Sequence, residues 1–179
     1  MKTFKSLMLM ALAIVVLASC CKDPKEKYYQ SIPDGLDEMC QRAIDEWKVP
    51  GMAVGVVKDG KVVAKRHNRV LLKHDPTCHG EMEAIRSACR KLGTNDLSGC
   101  ELYTTAEPCP MCLGAIMWSN IKKVHYGCTI KDTDSIGFRD DRFYNHLSGK
   151  VQVLEMDEVD RVECLELFSD YSGMEHDLY

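Results

Sequence analysis

The chain has 179 residues, 28% of them charged and 45% hydrophobic, a formal net charge of −4 and ten cysteines. That length suits one domain able to bury a core without disulfide staples. The acidic balance argues against a nucleic-acid surface, because phosphates are held by Lys and Arg, and it is concentrated in 151–179, where nine acidic residues face a single basic one, Arg161.

Residues 1–20 are a different material. Lys2 and Lys5 precede an apolar run over 7–18, and the segment ends Leu17-Ala18-Ser19-Cys20. A basic start, a short apolar core and a small-residue exit describe a secretory signal. The ending resembles a bacterial lipobox, with Cys20 as the lipidated residue. The run is too short for a comfortable membrane span. The expectation is a lipid-anchored protein of the cell envelope, with 1–20 as signal, 21–33 as a polar tether and 34–179 as the folded domain. Ten cysteines fit an oxidising compartment awkwardly, which keeps a cytoplasmic location as the alternative.

Residues 34–47 read as a helix with Leu36, Met39, Cys40 and Ala43 on one face, ended by Pro50-Gly51. Strands over 52–57 and 62–65 flank Asp59-Gly60, a strong hairpin signal. A helix begins near His79, with Met82, Ile85, Cys89 and Leu92 as its apolar face. Residues 101–105 read as a strand. Residues 110–119 read as an almost wholly apolar helix that should be buried. A strand over 123–126, a loop or short helix over 140–146, a strand over 151–156 and a helix over 158–170 complete the chain. This order implies an α/β fold, a three-layer α/β/α sandwich around a five-stranded mixed sheet whose last two strands run parallel.

The chemistry is concentrated in His79-Gly80-Glu81 and Pro108-Cys109-Pro110-Met111-Cys112. Zinc binds His nitrogen and Cys sulfur, and a catalytic site uses three protein ligands with a fourth position open. His79, Cys109 and Cys112 are three such ligands for Zn2+, and Glu81 is left beside them as a proton carrier. The spacing of Cys109 and Cys112 puts both at one helix start, where Pro108 and Pro110 suit the first turn and the helix dipole acidifies thiols. Three other readings of these residues exist, one of them a chance assembly of a buried thiol pair and a surface His. A redox Cys-x-x-Cys pair leaves His79-x-Glu81 without a purpose. A structural, non-catalytic zinc module needs a fourth ligand, for which Cys78 and Cys128 are available.

The His-x-Glu and Pro-Cys-x-x-Cys pair is the signature of zinc-dependent base deaminases. With Asn68, Asp75-Pro76-Thr77-Cys78-His79-Gly80-Glu81, Leu102-Tyr103-Thr104-Thr105, the run from Pro108 to Ile116 and the Ile136-Gly137-Phe138-Arg139-Asp140-Asp141 stretch, residues 68–179 resemble the cytidine-deaminase superfamily. The resemblance is greatest to its bacterial guanine deaminase branch. It implies hydrolytic deamination at an amidine-like ring carbon, with Glu81 moving the proton. It implies that Asn68 and Asp140 contact the base, that Gly80 and Trp118 line the pocket, and that Tyr179 closes it. It implies a small nucleobase or nucleoside as substrate and a homodimer. Guanine is the favoured base, since a carboxylate suits its N–H donors. Gly80, where family members often carry Ala, resembles the cytosine branch and keeps cytosine or cytidine open, together with tRNA adenosine.

Residues 36–63 resemble instead the opening of exported serine hydrolases of the class C β-lactamase type. The matches to their Ser-x-x-Lys nucleophile motif are Ser19-Cys20-Cys21-Lys22 and Ser119-Asn120-Ile121-Lys122. Neither has the partner motifs, and the chain is too short for that fold.

Overall fold

The computed structural model describes residues 53–176; the expected helix over 34–47, the tether and the leader lie outside the described residues. The sheet begins with a hairpin, β1 (Ala53–Lys58) and β2 (Lys61–His67). Asp59 and Gly60 between them have φ of 50° and 70°. Two consecutive positive φ values make the tight turn whose twist matches a hairpin, and Asp-Gly tolerates them. After β2 comes a single helical turn, α1 (Val70–Lys73), and then α2 (Gly80–Leu92). Strand β3 (Cys100–Ala106) lies antiparallel on the other side of β1, with Val54 opposite Thr104 and Val56 opposite Leu102. Helix α3 (Pro110–Trp118) then carries the chain over, and β4 (Lys123–Cys128) returns parallel to β3. The order is β2-β1-β3-β4, a mixed sheet. Helices α4 (Ile130–Ser135), α5 (Asp140–Leu147) and α6 (Arg161–Ser172) follow.

The core lies between one face of this sheet and α2 with α3. Val54, Val56 and Leu102 from the strands meet Ala84, Ile85 and Ala88 of α2, Ile116 of α3, and Leu97 and Ile121 from the connections. Each fully buried Val or Leu contributes roughly 1.5–3 kcal/mol of transfer free energy. The face that α2 buries differs from the expected one. Glu81, Ala84, Ile85 and Ala88 point inward, whereas Met82 and Cys89 are half-buried and Leu92 is exposed. Two alanines at the contact let the helix axis come close to the sheet, and Glu81 is drawn inside with them.

Three expectations change. Helix α3 is apolar all round, yet it buries only Cys112 and Ile116, and Met117 and Trp118 face outward. The strand expected over 151–156 does not form: these residues are irregular, and Val151, Leu154 and Met156 are exposed. The sheet among the described residues therefore has four strands, and its parallel pair is β3 and β4. Strand propensity is realised only against a neighbouring strand, and here 151–156 has none. Helix α6 forms, shifted to Arg161–Ser172, but none of its residues is buried.

Candidate active site

Each metal-ligand candidate sits at a helix N-terminus because local sequence stops the preceding chain there. Asp75 accepts hydrogen bonds at Oδ1 from the Thr77 backbone N–H (2.8 Å) and hydroxyl (2.7 Å). This turn delivers extended backbone at His79, the N-cap of α2. Cys109 is the N-cap of α3, with Pro110 at the first helical position, where its missing N–H costs little. Cys112 lies one turn further on. Ligand atoms of His79, Cys109 and Cys112 all lie within 4.8 Å of one another. Cys109 Sγ is 3.6 Å from His79 Nδ1. A tetrahedral zinc with Zn–S of about 2.3 Å and Zn–N of about 2.0 Å separates such atoms by about 3.5 Å, so the donor set fits that ion in type and in spacing.

The protonation pattern supports the fit. The hydrogen bond from Cys112, with a second from His79, pulls the Cys109 thiol down to about 4 against the opposing effect of burial. The same bond and burial push Cys112 well above the usual thiol range. A sulfur held toward the thiolate form beside a second sulfur and an imidazole is a place suited to a cation. His79 is raised above its ordinary value by its hydrogen bond to Cys109, with burial opposing. Glu81 is 3% exposed. Burial raises its carboxyl, and the Cys109 charge adds to this. Its Oε1 accepts from the Thr104 hydroxyl at 3.3 Å and its Oε2 from the Cys112 thiol at 3.5 Å. The carboxyl is therefore aimed at the ligand cluster without belonging to it.

The fourth ligand of a closed zinc module is not assembled among the described residues. Cys78 instead donates to Asp75 Oδ2 at 3.2 Å, and Cys128 is exposed at the end of β4.

The other candidates divide. Asn68 lies beside α2: a Cβ at Gly80 would be 3.5 Å from the Asn68 backbone nitrogen. The Asn68 Oδ1 accepts the Val70 N–H at 2.9 Å, which starts α1 and leaves the amide N–H donors for other partners. Asp140, at the start of α5, is half-buried. Burial raises its carboxyl; the Cys109 charge adds to that and the His79 charge opposes it. Trp118 lies at the opposite end of α3 from the sulfurs and is 68% exposed. Its six-residue separation from Cys112 is about 9 Å along the axis. Tyr179 and Cys20 lie outside the described residues.

Sequence reasoning missed the groups that hold these side chains. Thr104 carries no site signal in its local sequence beyond sharing its inward parity on β3 with Leu102. Tyr144 of α5 donates from its hydroxyl to the Pro108 carbonyl at 2.7 Å. Glu107 accepts the Ile130 N–H at 3.0 Å. A further ionic hub is Glu83, whose Oε2 lies 2.8 Å from Lys73 and whose Oε1 lies 3.3 Å from Arg86. The Lys73 hydrogen bond holds Glu83 below the usual carboxylate range.

Two helix N-termini converging on a His/Cys/Cys cluster above a mixed sheet make this an α/β fold of the cytidine-deaminase type. The chain belongs to the family described as the cytidine and deoxycytidylate deaminase zinc-binding region, which it matches over residues 26–128. That match runs through 36–63, and β1 and β2 of this segment pair into the same sheet as β3. Guanine deaminase of Bacillus subtilis is 47% identical over 92 residues, which are 51% of this chain and 59% of that protein. A tRNA-specific adenosine deaminase of Aquifex aeolicus is 47% identical over 91 residues, 51% of this chain and 60% of that protein. The chain thus spans about three-fifths of the length of these curated relatives. The X-ray structure of guanine deaminase from Bacillus subtilis superposes with a TM-score of 0.70 at 33% identity, covering 79% of this chain and 92% of that one.

A three-ligand site has a direct consequence. The chain is expected to take up one zinc ion, measured by atomic absorption after dialysis. Cys112→Ser should weaken zinc binding by more than about 100-fold, beyond the usual loss from a supporting residue. Cys78→Ser and Cys128→Ser should keep full stoichiometry; loss of zinc in either would mean a fourth protein ligand.

Proposed function

We propose that this chain is a hydrolytic deaminase of a nucleobase or nucleoside, with guanine as its preferred substrate. The observation that supports the reaction class is the buried Glu81 carboxyl, set beside three metal-binding side chains and outside their set. Zinc, when bound there, would supply the Lewis acidity that activates water near neutral pH. Glu81 takes the proton that this water gives up and passes it to the ring nitrogen, then takes the proton of the added hydroxyl and passes it to the leaving amine. Water adds across the ring C=N bond, the bond to the exocyclic nitrogen breaks, and guanine becomes xanthine and ammonia. Burial suits Glu81 to this task, because it moves the carboxyl toward the pH at which it both accepts and returns a proton. The Thr104 hydroxyl keeps one oxygen occupied, so the other faces the cluster.

Guanine is supported by three observations. A Bacillus subtilis guanine deaminase is among the relatives of both sequence and structure. Asp140 is half-buried and within electrostatic reach of His79 and Cys109, and a carboxylate there accepts from N–H donors of a base edge. Asn68 lies against Gly80 at the start of α2 and has amide donors to spare. The tRNA reading has a relative of equal identity in its favour. The acidic 151–179 segment, nine acidic residues against one basic, opposes it. Ammonia release should be followed with guanine, cytosine, adenine, their nucleosides and a tRNA anticodon stem-loop. Guanine should turn over fastest, and Glu81→Gln should keep zinc and lose at least about 1000-fold in kcat, the role being proton transfer. Faster turnover of cytosine or of the stem-loop would replace guanine. Near wild-type activity in Glu81→Gln would remove the mechanism.

We also propose a homodimer. The 151–174 arm carries Met156, Val162, Leu167, Phe168 and Met174 on its surface, and α6 buries nothing against the rest of the described chain. Exposed apolar residues in this number on one segment suit an interaction site, and a second copy would cover them. Light scattering at micromolar concentration should give about twice the 20.2 kDa chain mass. The chain ended after Gly149 should run as a monomer. A monomeric full-length chain refutes the dimer.

For location we propose export and attachment to the envelope through Cys20, on the strength of the basic start, apolar run and Leu-Ala-Ser-Cys ending of residues 1–20. Cell fractionation with mass spectrometry should find a chain cleaved before Cys20 and acylated in the membrane fraction. An uncleaved chain in the soluble cytosolic fraction overturns it.

A further inference from the structure

Gly80 is the first residue of α2. Its backbone is helical, so no unusual dihedral demands glycine. Space demands it. A Cβ at Gly80 would lie 2.8 Å from Val54 Cγ2, closer than real contacts allow, while its next neighbours, the Asn68 nitrogen and the His67 carbonyl carbon, would be at an ordinary 3.5 Å. Val54 is poorly able to yield. It is 1% exposed, sits on the central strand β1, and is paired to Arg66 on one side and Thr104 on the other. A β-branched side chain there has little rotamer freedom.

Two groups ride on the turn that Val54 supports. His79 is the N-cap one residue before Gly80, and Glu81 is one residue after it. The cross-strand neighbour of Val54, Thr104, donates the hydrogen bond to Glu81 Oε1. The height of this turn above β1 and β3 therefore governs both the His79-to-sulfur spacing and the Thr104–Glu81 contact.

We propose that Val54 is a positioning residue: its γ-methyl group fills the space beside residue 80, and the Val54–Gly80 contact fixes how far the first turn of α2 stands from the sheet. Glycine at residue 80 is then the steric counterpart of Val54 and carries no information about which base is bound. The Glu81 part of this inference rests on the deaminase reading; the His79 part does not.

The test is a two-residue cycle in the full chain: Val54→Ala, Gly80→Ala, and both together. Zinc affinity is read by competition with a chromophoric chelator, the melting temperature by calorimetry, and kcat and KM separately on the preferred base. Gly80→Ala forces the turn outward and should weaken zinc binding and lower kcat by about tenfold or more, within the usual range for coupled neighbours. Val54→Ala leaves a cavity and should lower the melting temperature. In the double variant the new methyl takes the vacated space, so zinc affinity and kcat should return to within about threefold of wild type, and the order of preference among bases should not change.

Wild-type zinc binding in Gly80→Ala, or a double variant as impaired as the product of the singles, overturns the proposal. If Gly80→Ala does not fold, the comparison is between Val54→Ala and the double variant. The double should then melt higher and bind zinc more tightly, and a double no better than Val54→Ala overturns the proposal equally. A cycle that couples in zinc affinity while no base is deaminated would retain the positioning role and discard the deaminase reading.

Discussion

The gathering of His79, Cys109 and Cys112 into one cluster is the point on which this structure turns. Two thiols this close, 3.6 Å from an imidazole at the nearer one, form a locus that strongly favours positive charge. A divalent cation satisfies it fully, and in doing so clips the start of α2 to the start of α3. The two helices meet the sheet from one side, and their N-terminal dipoles both point at the clip. Metal-binding side chains at the N-termini thus add to the apolar contact of Ile116 with Ala84, Ile85 and Ala88 in setting the relation between the two helices.

The sheet decides what stands beside the clip. β3 runs directly into the cysteine loop, and its inward residues alternate between core and site: Leu102 packs, and Thr104 holds Glu81. Placing a carboxyl at 3% exposure is costly unless it is hydrogen-bonded. Here Thr104 and Cys112 supply those bonds. The result is a carboxyl whose acidity is weakened by burial and whose direction is constrained by two neighbours. Glu83, two residues on, shows the opposite solution: three cations, Arg69, Lys73 and Arg86, lie around it and keep it charged.

The ligand set could be read from the chain because metal chemistry demands particular side chains at short helical offsets, and 79–81 and 109–112 satisfy that locally. The hairpin was equally legible, since Asp59-Gly60 encodes its own turn. The buried face of α2 was not. Apolar residues alone pointed to Met82, Ile85, Cys89 and Leu92, of which Ile85 is buried, whereas the helix turns to put Glu81 inside and uses Ala84 and Ala88 as its close contact. Thr104 and Tyr144 act across 23 and 36 residues of chain, so no local pattern announces them. Helix α4 carried a usable signal that went unread: Thr129 and Asp132 form a capping box. The strand expected over 151–156 shows the converse, a local preference without a partner to realise it.

The tether from the Tyr144 hydroxyl to the Pro108 carbonyl carries a mechanical consequence. Pro108 is the residue before Cys109, so α5, which bears Asp140, is tied to the peptide that leads into a metal-binding sulfur. Swinging α5 outward would first have to break a bond worth about 1 kcal/mol net, or else drag the sulfur with it. Movement of α5 is therefore coupled to movement of the cysteine loop, and the segment that bears Asp140 is braced against the peptide that presents Cys109.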